Sequence, residues 1–139
     1  MRHLLLFGAC AALMSAPALA AAPLAGLWRL EGENARIRLA PCGRAVCGRL
    51  ADAAKLQRDP KARDSRNEDS ALRRRPLRNI LVMRGFTGGP DDWEGGTVYN
   101  PDDGSTYQGE MRRVDDDTLE VEVCVIRPLC KTQTLTRLR

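Results

Sequence analysis

Residues 93–109 read WEGGTVYNPDDGSTYQG, and this stretch decides the fold because it predicts two β-strands joined by a tight turn. β-Branched and aromatic residues form both arms, at 97–99 and 105–107. Between them, Pro101 presets the φ angle of the turn, and Gly104 can adopt the left-handed conformation that closes it. The glycine pair at 95–96 indicates a β-bulge or a close approach of another segment. The stretch therefore predicts an antiparallel hairpin.

The same strand signal continues on both sides of this hairpin. Apolar and charged side chains alternate along several segments, which is typical of strands with one buried face. Polar turns separate these segments, and no long helical period is visible. About eight short strands predict an all-β protein, either a small closed antiparallel barrel or a sandwich. Outside the hairpin, the expected strands are 26–30, 35–39, 46–50, 80–86, 118–123 and 132–138.

The first twenty residues have the features of a cleaved signal peptide. A positively charged start precedes an uncharged apolar run at 4–14 and the sequence Ala-Leu-Ala at 18–20. We expect cleavage after Ala20, which leaves one domain at 21–139 that is periplasmic or secreted. Cys10 raises the alternative of a lipoprotein, but the residues before it match the lipoprotein motif poorly.

Cleavage would also remove the only histidine, His3. The mature chain then has no imidazole for general-base catalysis, for a nucleophile pair or for metal binding. The acidic runs at 102–103 and 115–117 lack the spaced ligands of a calcium loop, and turn chemistry accounts for them. We therefore expect no metal and no cofactor, and we favour a protein that is not an enzyme.

Four cysteines remain after cleavage, an even number that predicts disulfide bonds in an exported protein. A glycine turn would place Cys42 opposite Cys47. A proline turn would place Cys124 opposite Cys130. Opposed positions on antiparallel strands have the Cα separation that a disulfide needs, so local geometry favours these two pairs as structural staples. A redox-active pair and a four-thiolate zinc site are the alternatives, and neither has its usual spacing.

Residues 51–78 break the strand pattern and hold nine basic against five acidic residues. One interpretation is a solvated loop with a helical turn, in which Asp64 and Asp69 pair with arginines and fix the loop to the barrel. The other is a basic patch for an anionic partner such as a lipid surface, with Arg73 and Arg75 as binding residues. Nucleic acid is not expected, because the segment has no aromatic residue to stack on bases.

Several motifs occur in a characteristic order along the chain: Gly26-x-Trp28, Pro41-Cys42-Gly43 with Cys47-Gly48, Asp64-x-x-Asn67-x-Asp69, Leu72-Arg73-x-Arg75-Pro76-Leu77, Trp93-x-Gly95-Gly96-x-Val98-Tyr99-x-Pro101-x-Asp103-Gly104-x-Thr106-Tyr107, and Gln133-Thr134-x-Thr136-Arg137. In these motifs the chain resembles the DUF2147 family of small exported bacterial proteins, whose function is uncharacterised. It departs from the family at Glu68, Asn79 and Leu135, where proline, glycine and tryptophan are usual. The resemblance implies a lipocalin-like (calycin) barrel with one long charged loop, and no established activity.

The calycin architecture implies a closure at one end of the barrel. There, an early Gly-x-Trp strand packs beneath a basic residue from the last strand. Gly26, Trp28 and Arg137 occupy those positions. A guanidinium over an indole face is a favourable cation–π contact and would help to close the barrel.

These features favour a binding or envelope-support protein whose barrel takes a small apolar or amphipathic ligand. A small barrel can also be filled by its own side chains, which leaves no pocket. Trp93, Tyr99 and Tyr107 join the two loop arginines as candidate ligand contacts. The alternatives are an enzyme that uses carboxylates or arginines at the barrel mouth, and an interaction module that uses 51–78. The oligomeric state stays open.

Overall fold

A computed structural model of the chain describes residues 23–139, so the predicted signal peptide and its cleavage site lie outside the described residues. Eight strands form, namely β1 Gly26–Leu30, β2 Ala35–Cys42, β3 Ala45–Ala53, β4 Leu81–Gly88, β5 Asp92–Asn100, β6 Ser105–Asp115, β7 Thr118–Ile126 and β8 Leu129–Leu138. Each strand pairs antiparallel with its neighbours in sequence, and β8 pairs with β1 to close a barrel. The predicted all-β barrel is confirmed, and the sandwich alternative is wrong.

The connection between β3 and β4 contains the helical structure of the described chain. A short helix α1, Ala54–Arg58, follows β3 directly. A 3₁₀ helix, Ser70–Leu72, lies further along and matches the helical turn expected there. Within residues 23–139, no helix is long and apolar enough to cross a membrane.

Alternation of side chains decides which face of each strand is buried. In β2, Ile37 and Leu39 are buried, whereas Arg36 and Arg38 between them are exposed. Successive side chains on a strand point to opposite faces, so the two apolar residues turn into the barrel and the arginines turn outward. The alternation seen in the sequence therefore corresponds to the interior and exterior of the barrel.

The hairpin of residues 93–109 is β5 and β6 with their turn. Asn100 pairs with Ser105 at the start of the turn, as predicted. The register shifts between Trp93 and Gly96, which confirms the predicted bulge. Gly96 leaves room for the Phe86 ring, because a Cβ atom at position 96 would lie 2.5 Å from that ring.

One end of the barrel, the closed end, is covered by the Trp28–Arg137 pair. Trp28 is fully buried, and its indole N–H donates to the carbonyl oxygen of Leu24 at 3.0 Å. The Arg137 guanidinium lies 4.3 Å from the centroid of the Trp28 ring and donates to the carbonyl oxygens of Pro23 and Asp116. Arg137 therefore joins the first strand, the last strand and the β6–β7 turn.

Gly26 passes close to the same arginine. Its φ angle is +144°, and a Cβ atom there would lie 3.4 Å from the Arg137 guanidinium. A second arginine–indole contact occurs at the same end, where the Arg113 guanidinium lies 5.8 Å from the ring centroid of the buried Trp93. The residues predicted for the calycin closure are thus brought together.

Both predicted cysteine pairs lie at disulfide distance, one at each end of the barrel. Cys124 and Cys130 face each other across β7 and β8 at the open end, with Cα atoms 4.0 Å apart. Cys42 and Cys47 lie at the closed end with Cα atoms 5.8 Å apart. Their positions are diagonal rather than directly opposed, because Cys42 pairs with Ala45 in the β2–β3 register.

Candidate functional site

The open end of the barrel, called the mouth, leads into a cavity of about 680 Å³. The mouth is formed by the β1–β2, β5–β6 and β7–β8 turns and by residues 54–80, called the mouth loop. The barrel is therefore not filled by its own side chains in this half. A volume of this size with a mainly apolar wall is typical of small-ligand sites. Residues of all eight strands line the wall, among them Ile37, Val82, Val98, Val121, Val123 and Leu135.

The rim of this cavity is charged. Arg58 and Lys131 have no side-chain partner among residues 23–139, so their positive charges are available at the opening. Tyr107 and Gln133 add polar groups just inside the opening. The rim includes the cations Lys55, Arg58, Arg66 and Lys131, together with the carboxylates Glu33, Asp102 and Asp103.

The mouth loop packs onto the open end of the barrel and covers part of it. Leu56, Leu77 and Ile80 are buried, and Leu77 also lines the cavity. Backbone hydrogen bonds join the two arms of the loop, from Leu77 N to Ala62 O at 2.9 Å among others. The loop is therefore an ordered part of the site, although most of its side chains are exposed to solvent.

A buried polar cluster fixes the mouth loop to β5. Asp64 is fully buried and accepts hydrogen bonds at Oδ2 from Arg75 Nε at 2.9 Å and from Asn67 Nδ2 at 2.8 Å. Its Oδ1 accepts the hydroxyl of Tyr99 at 2.5 Å. Arg75 also lies over the Tyr99 ring, 5.7 Å from the centroid. A buried carboxylate needs such charge and hydrogen-bond compensation, and here it comes from both the loop and the barrel wall.

This cluster changes the acidity of Tyr99. Desolvation by burial, followed by the hydrogen bond and charge of Asp64, raises the pKa of Tyr99 to about 12. The phenol therefore keeps its proton across the physiological range. It acts as a hydrogen-bond donor that holds the loop, and it is not a general base.

The mouth loop also rests on the β5–β6 turn. Gly104 is buried with a φ angle of +77°, and a Cβ atom there would lie 1.7 Å from the carbonyl oxygen of Arg66. Arg66 Nη1 donates to the carbonyl oxygen of Asp102 at 2.7 Å. The Ser105 hydroxyl donates to Glu68 Oε1 at 3.0 Å. The β5–β6 turn, which the sequence predicted, therefore supports the mouth loop through these contacts.

Within the β5–β6 turn, the Asp103 carboxylate accepts hydrogen bonds from two nearby residues. Its carboxylate accepts the hydroxyl of Tyr107 at 2.5 Å and the backbone N–H of Ser105 at 2.8 Å. The hydrogen bond to Asp103 raises the pKa of Tyr107. This carboxylate is engaged in turn structure, as the sequence indicated.

The five candidate ligand contacts lie in three places. Tyr99 and Tyr107 line the cavity. Arg75 lies behind the wall on Asp64, and Arg73 Nε donates to the carbonyl oxygen of Asn67 at 2.8 Å, so both arginines hold the loop together. Trp93 is buried at the closed end of β5 beneath Arg113 and is not among the residues that line the cavity.

Asp64 and Asp69 were both expected to pair with arginines, and the structure differs between them. Asp64 pairs with an arginine, Arg75, as the structural interpretation predicted. The pairing expected for Asp69 is wrong, because its carboxylate accepts the backbone N–H of Ala71 at 2.9 Å and caps the 3₁₀ helix. Short polar side chains favour such local hydrogen bonds to the backbone.

The structure shows the environment of each of the three residues that depart from the family motifs. Asn79 adopts a φ angle of +66°, a left-handed conformation for which glycine is the common residue. Leu135 is buried in the cavity wall. Glu68 accepts the hydrogen bond from Ser105.

The rim cations were not predicted as site residues. Lys131 and Gln133 share the inward face of β8 with Leu135, and the alternation of that strand would have indicated this. Lys55 and Arg58 come from α1, whose single turn leaves no period in the sequence that could place them.

A closed eight-stranded barrel with an arginine–tryptophan closure at one end and a cavity at the other is a lipocalin-like barrel. The solved structure of protein HP1028 from Helicobacter pylori, described as belonging to the lipocalin family, has a similar fold. The TM-score is 0.74 at 20% sequence identity, over 85% of this chain and 84% of that one. This likeness concerns the fold alone.

Residues 26–137 match the model of a family described as uncharacterized protein conserved in bacteria (DUF2147). The chain belongs to this family, as its motifs indicated. No curated protein matches the chain. The two cysteine pairs at disulfide distance suggest a compartment outside the cytoplasm.

Proposed function

We propose that this protein binds a small amphipathic ligand whose apolar chain enters the barrel and whose anionic head stays at the mouth. The observation that carries the proposal is the cavity of about 680 Å³, which is apolar inside and opens at a rim with cations free of side-chain partners. Burial of a hydrocarbon chain releases roughly 25 cal/mol per Å² of apolar surface, so the wall supplies affinity. The rim supplies selectivity for the head group.

The sign of the rim favours an anionic head over a cationic one. Arg58 and Lys131 are free of carboxylate partners, whereas Asp103 is occupied by Tyr107 and by a backbone amide. A carboxylate or phosphate head would gain charge-assisted hydrogen bonds at these cations. The rim carries four cations against the three carboxylates of Glu33, Asp102 and Asp103, so its net charge favours an anionic head over an ammonium head.

The enzymatic alternative receives less support from the same residues. Catalytic carboxylates require access to substrate and a raised proton affinity at one of the pair. Asp64 is fully buried behind the wall on Arg75, and Asp103 is held by its turn. An interaction module that uses the loop arginines is likewise less favoured, because Arg73 and Arg75 bond within the loop.

We further propose that the chain is exported and processed after Ala20, which places the barrel in the periplasm or outside the cell. The apolar run at 4–14 and the four paired cysteines support this proposal. N-terminal sequencing of the protein purified from its own cells should begin at Ala21. An intact Met1 or a lipidated Cys10 would contradict it.

The binding proposal is tested with a long-chain fatty acid that carries an environment-sensitive fluorophore. Titration of the mature protein should give a saturable signal that the unlabelled fatty acid displaces and an alkylamine of equal length does not. Val123→Phe places a ring in the cavity and should weaken binding about tenfold or more. Val114→Phe, on an exposed residue at the closed end, is the matched control and should bind as the wild type does.

The role of the rim is tested by charge removal. Arg58→Gln with Lys131→Gln should weaken binding of the fatty acid while leaving binding of the corresponding fatty alcohol unchanged. Arg44→Gln, an exposed arginine of the closed end, should change neither. Absence of saturable binding by the wild type, or full binding by Val123→Phe, would refute the proposal.

A further inference from the structure

The tip of the β7–β8 hairpin exposes three aliphatic side chains at the edge of the mouth. Val125, Ile126 and Leu129 are 72%, 68% and 66% exposed. The other exposed large apolar residues of the described chain are Leu72 at 38% and Val114 at 51%, and neither has an exposed large apolar neighbour in sequence. Clustering of this kind marks an interaction surface, whereas single exposed apolar residues do not.

A disulfide and two ion pairs at the base of the tip hold it in this position. The Cys124–Cys130 pair links the two strands at its base, so the strands cannot separate there. Arg127, within the tip, pairs with Glu110 and Glu122 on the outer wall. The aliphatic side chains are therefore presented to solvent by a rigid support.

The charges around the tip are complementary to an anionic surface. Residues 31–34, 54–80, 100–104 and 125–131 form the mouth end and contain eleven basic against eight acidic residues. This surplus equals that of all residues from 23 to 139, so the rest of the described chain is neutral on balance. Lys131, directly beside the tip, has no side-chain partner among the described residues.

The composition and size of the tip fit a lipid bilayer better than a protein partner. Stable protein interfaces bury more than about 1,000 Å² and centre on aromatic or arginine anchors. The tip offers three aliphatic side chains and no aromatic residue, and its one arginine, Arg127, is already paired with Glu110 and Glu122. Short aliphatic projections flanked by cations are suited to the boundary between head groups and acyl chains of an anionic membrane.

We propose that this tip docks the protein on an anionic phospholipid bilayer, with Ile126 and Leu129 inserted and the mouth turned toward the membrane. Val125 and Lys131 line the cavity as well as the tip, so docking places the cavity entrance at the bilayer surface. A ligand then passes between the bilayer and the barrel without crossing bulk water. The route of the ligand rests on the proposed function, whereas docking itself does not.

Docking is tested by co-sedimentation of the mature protein with vesicles of phosphatidylcholine and phosphatidylglycerol, and with vesicles of phosphatidylcholine alone. Ile126→Ser with Leu129→Ser should lower the partition coefficient on the mixed vesicles at least about tenfold. Val114→Ser is the matched control at the closed end and should leave it unchanged. Lys131→Gln should weaken binding about fivefold on the mixed vesicles and not on phosphatidylcholine alone.

Insertion is tested separately with a fluorescent reporter. The two native tryptophans, Trp28 and Trp93, are buried at the closed end and should not respond to lipid. Leu129→Trp should show a blue shift with mixed vesicles, and Val114→Trp should not. No sedimentation of the wild type, equal sedimentation of the serine double variant, or no shift at position 129 would overturn the proposal.

The test of membrane docking can fail or succeed independently of the test of ligand binding. Binding of the fluorescent fatty acid is measured in solution without vesicles, and the serine double variant leaves Val125 and the cavity wall intact. A protein that binds the fatty acid and ignores vesicles refutes docking alone. A protein that docks and binds no fatty acid refutes the cavity proposal alone.

Discussion

The Arg137 guanidinium lies 4.3 Å from the ring centroid of Trp28, and this contact closes one end of the barrel. The indole is fully buried, whereas the guanidinium also donates to the carbonyl oxygens of Pro23 and Asp116. The arginine therefore contributes both a cation–π contact and hydrogen bonds that tie the first and last strands together.

Trp28→Ala should lower the free energy of unfolding by about 3–5 kcal/mol, the usual range for truncation of a buried tryptophan. Arg137→Ala should lower it by less, and the double variant should show a coupling of ~0.5–2 kcal/mol because the residues touch. Urea unfolding of the four proteins measures the cycle. Purely additive effects would remove the contact as a contributor to stability.

Removal of the cation beside Asp64 should be strongly destabilising. Arg75→Met leaves a fully buried carboxylate without its charge partner and should lower the free energy of unfolding by about 3–5 kcal/mol. Arg74→Met is the matched control, since that side chain is exposed and forms no hydrogen bond or ion pair within 23–139. It should change stability by less than about 0.5 kcal/mol. Similar effects in both variants would contradict a specific role for the buried pair.

Tyr99 should make stability depend on pH in the alkaline range. Its pKa is about 12 in the folded protein and about 10 in an unfolded chain. The unfolded state therefore loses this proton first, so the stabilisation is complete below about pH 10 and is lost as the pH rises toward 12. Urea unfolding at a series of alkaline pH values should show this loss in the wild type and a smaller loss in Tyr99→Phe.

Phenolate absorbance provides the control for that titration. The chain has two tyrosines, and the pKa of Tyr107 is also raised, by its hydrogen bond to Asp103. In Tyr107→Phe, the single remaining phenol should titrate near pH 12. A titration at an ordinary tyrosine pKa would show that Asp64 does not hold Tyr99 as described.

Gly104→Ala should displace the mouth loop. The alanine Cβ would meet the Arg66 carbonyl oxygen at 1.7 Å, in addition to the strain of a φ angle of +77°. Gly43→Ala is a matched control with a φ angle of +62° and nothing within 4 Å of its Cβ, so it carries the strain of about 1–2 kcal/mol alone. The Gly104 variant should lose about 1–3 kcal/mol more. Hydrogen exchange should localise the additional loss to the mouth loop.

The strands were predictable because their signal is local. Alternation at 118–123 led to β7, and the turn residues at 100–104 led to the hairpin. The closure by Trp28 and Arg137 was not local, and it became visible through the family motifs that bring the two ends of the chain together.

The sequence did not show that the candidate aromatic residues lie at different ends of the barrel, because a single strand, β5, runs the length of the barrel. Trp93 and Tyr99 stand six residues apart on β5, a distance of roughly 20 Å in an extended strand. They therefore belong to opposite ends of the barrel in spite of their closeness in sequence. The Asp64–Tyr99 hydrogen bond joins residues 35 apart, which no local pattern could indicate.

The seam between β1 and β8 has a kinetic consequence. Arg137 reaches Pro23 across 114 residues of chain, and loop-closure entropy must be overcome before such contacts contribute. Until β8 pairs, the other strands form a sheet with two open edges, which are templates for association with other chains. Synthesis from the N-terminus therefore delivers an incomplete sheet, and a strand of 10 residues, Leu129–Leu138, completes it last.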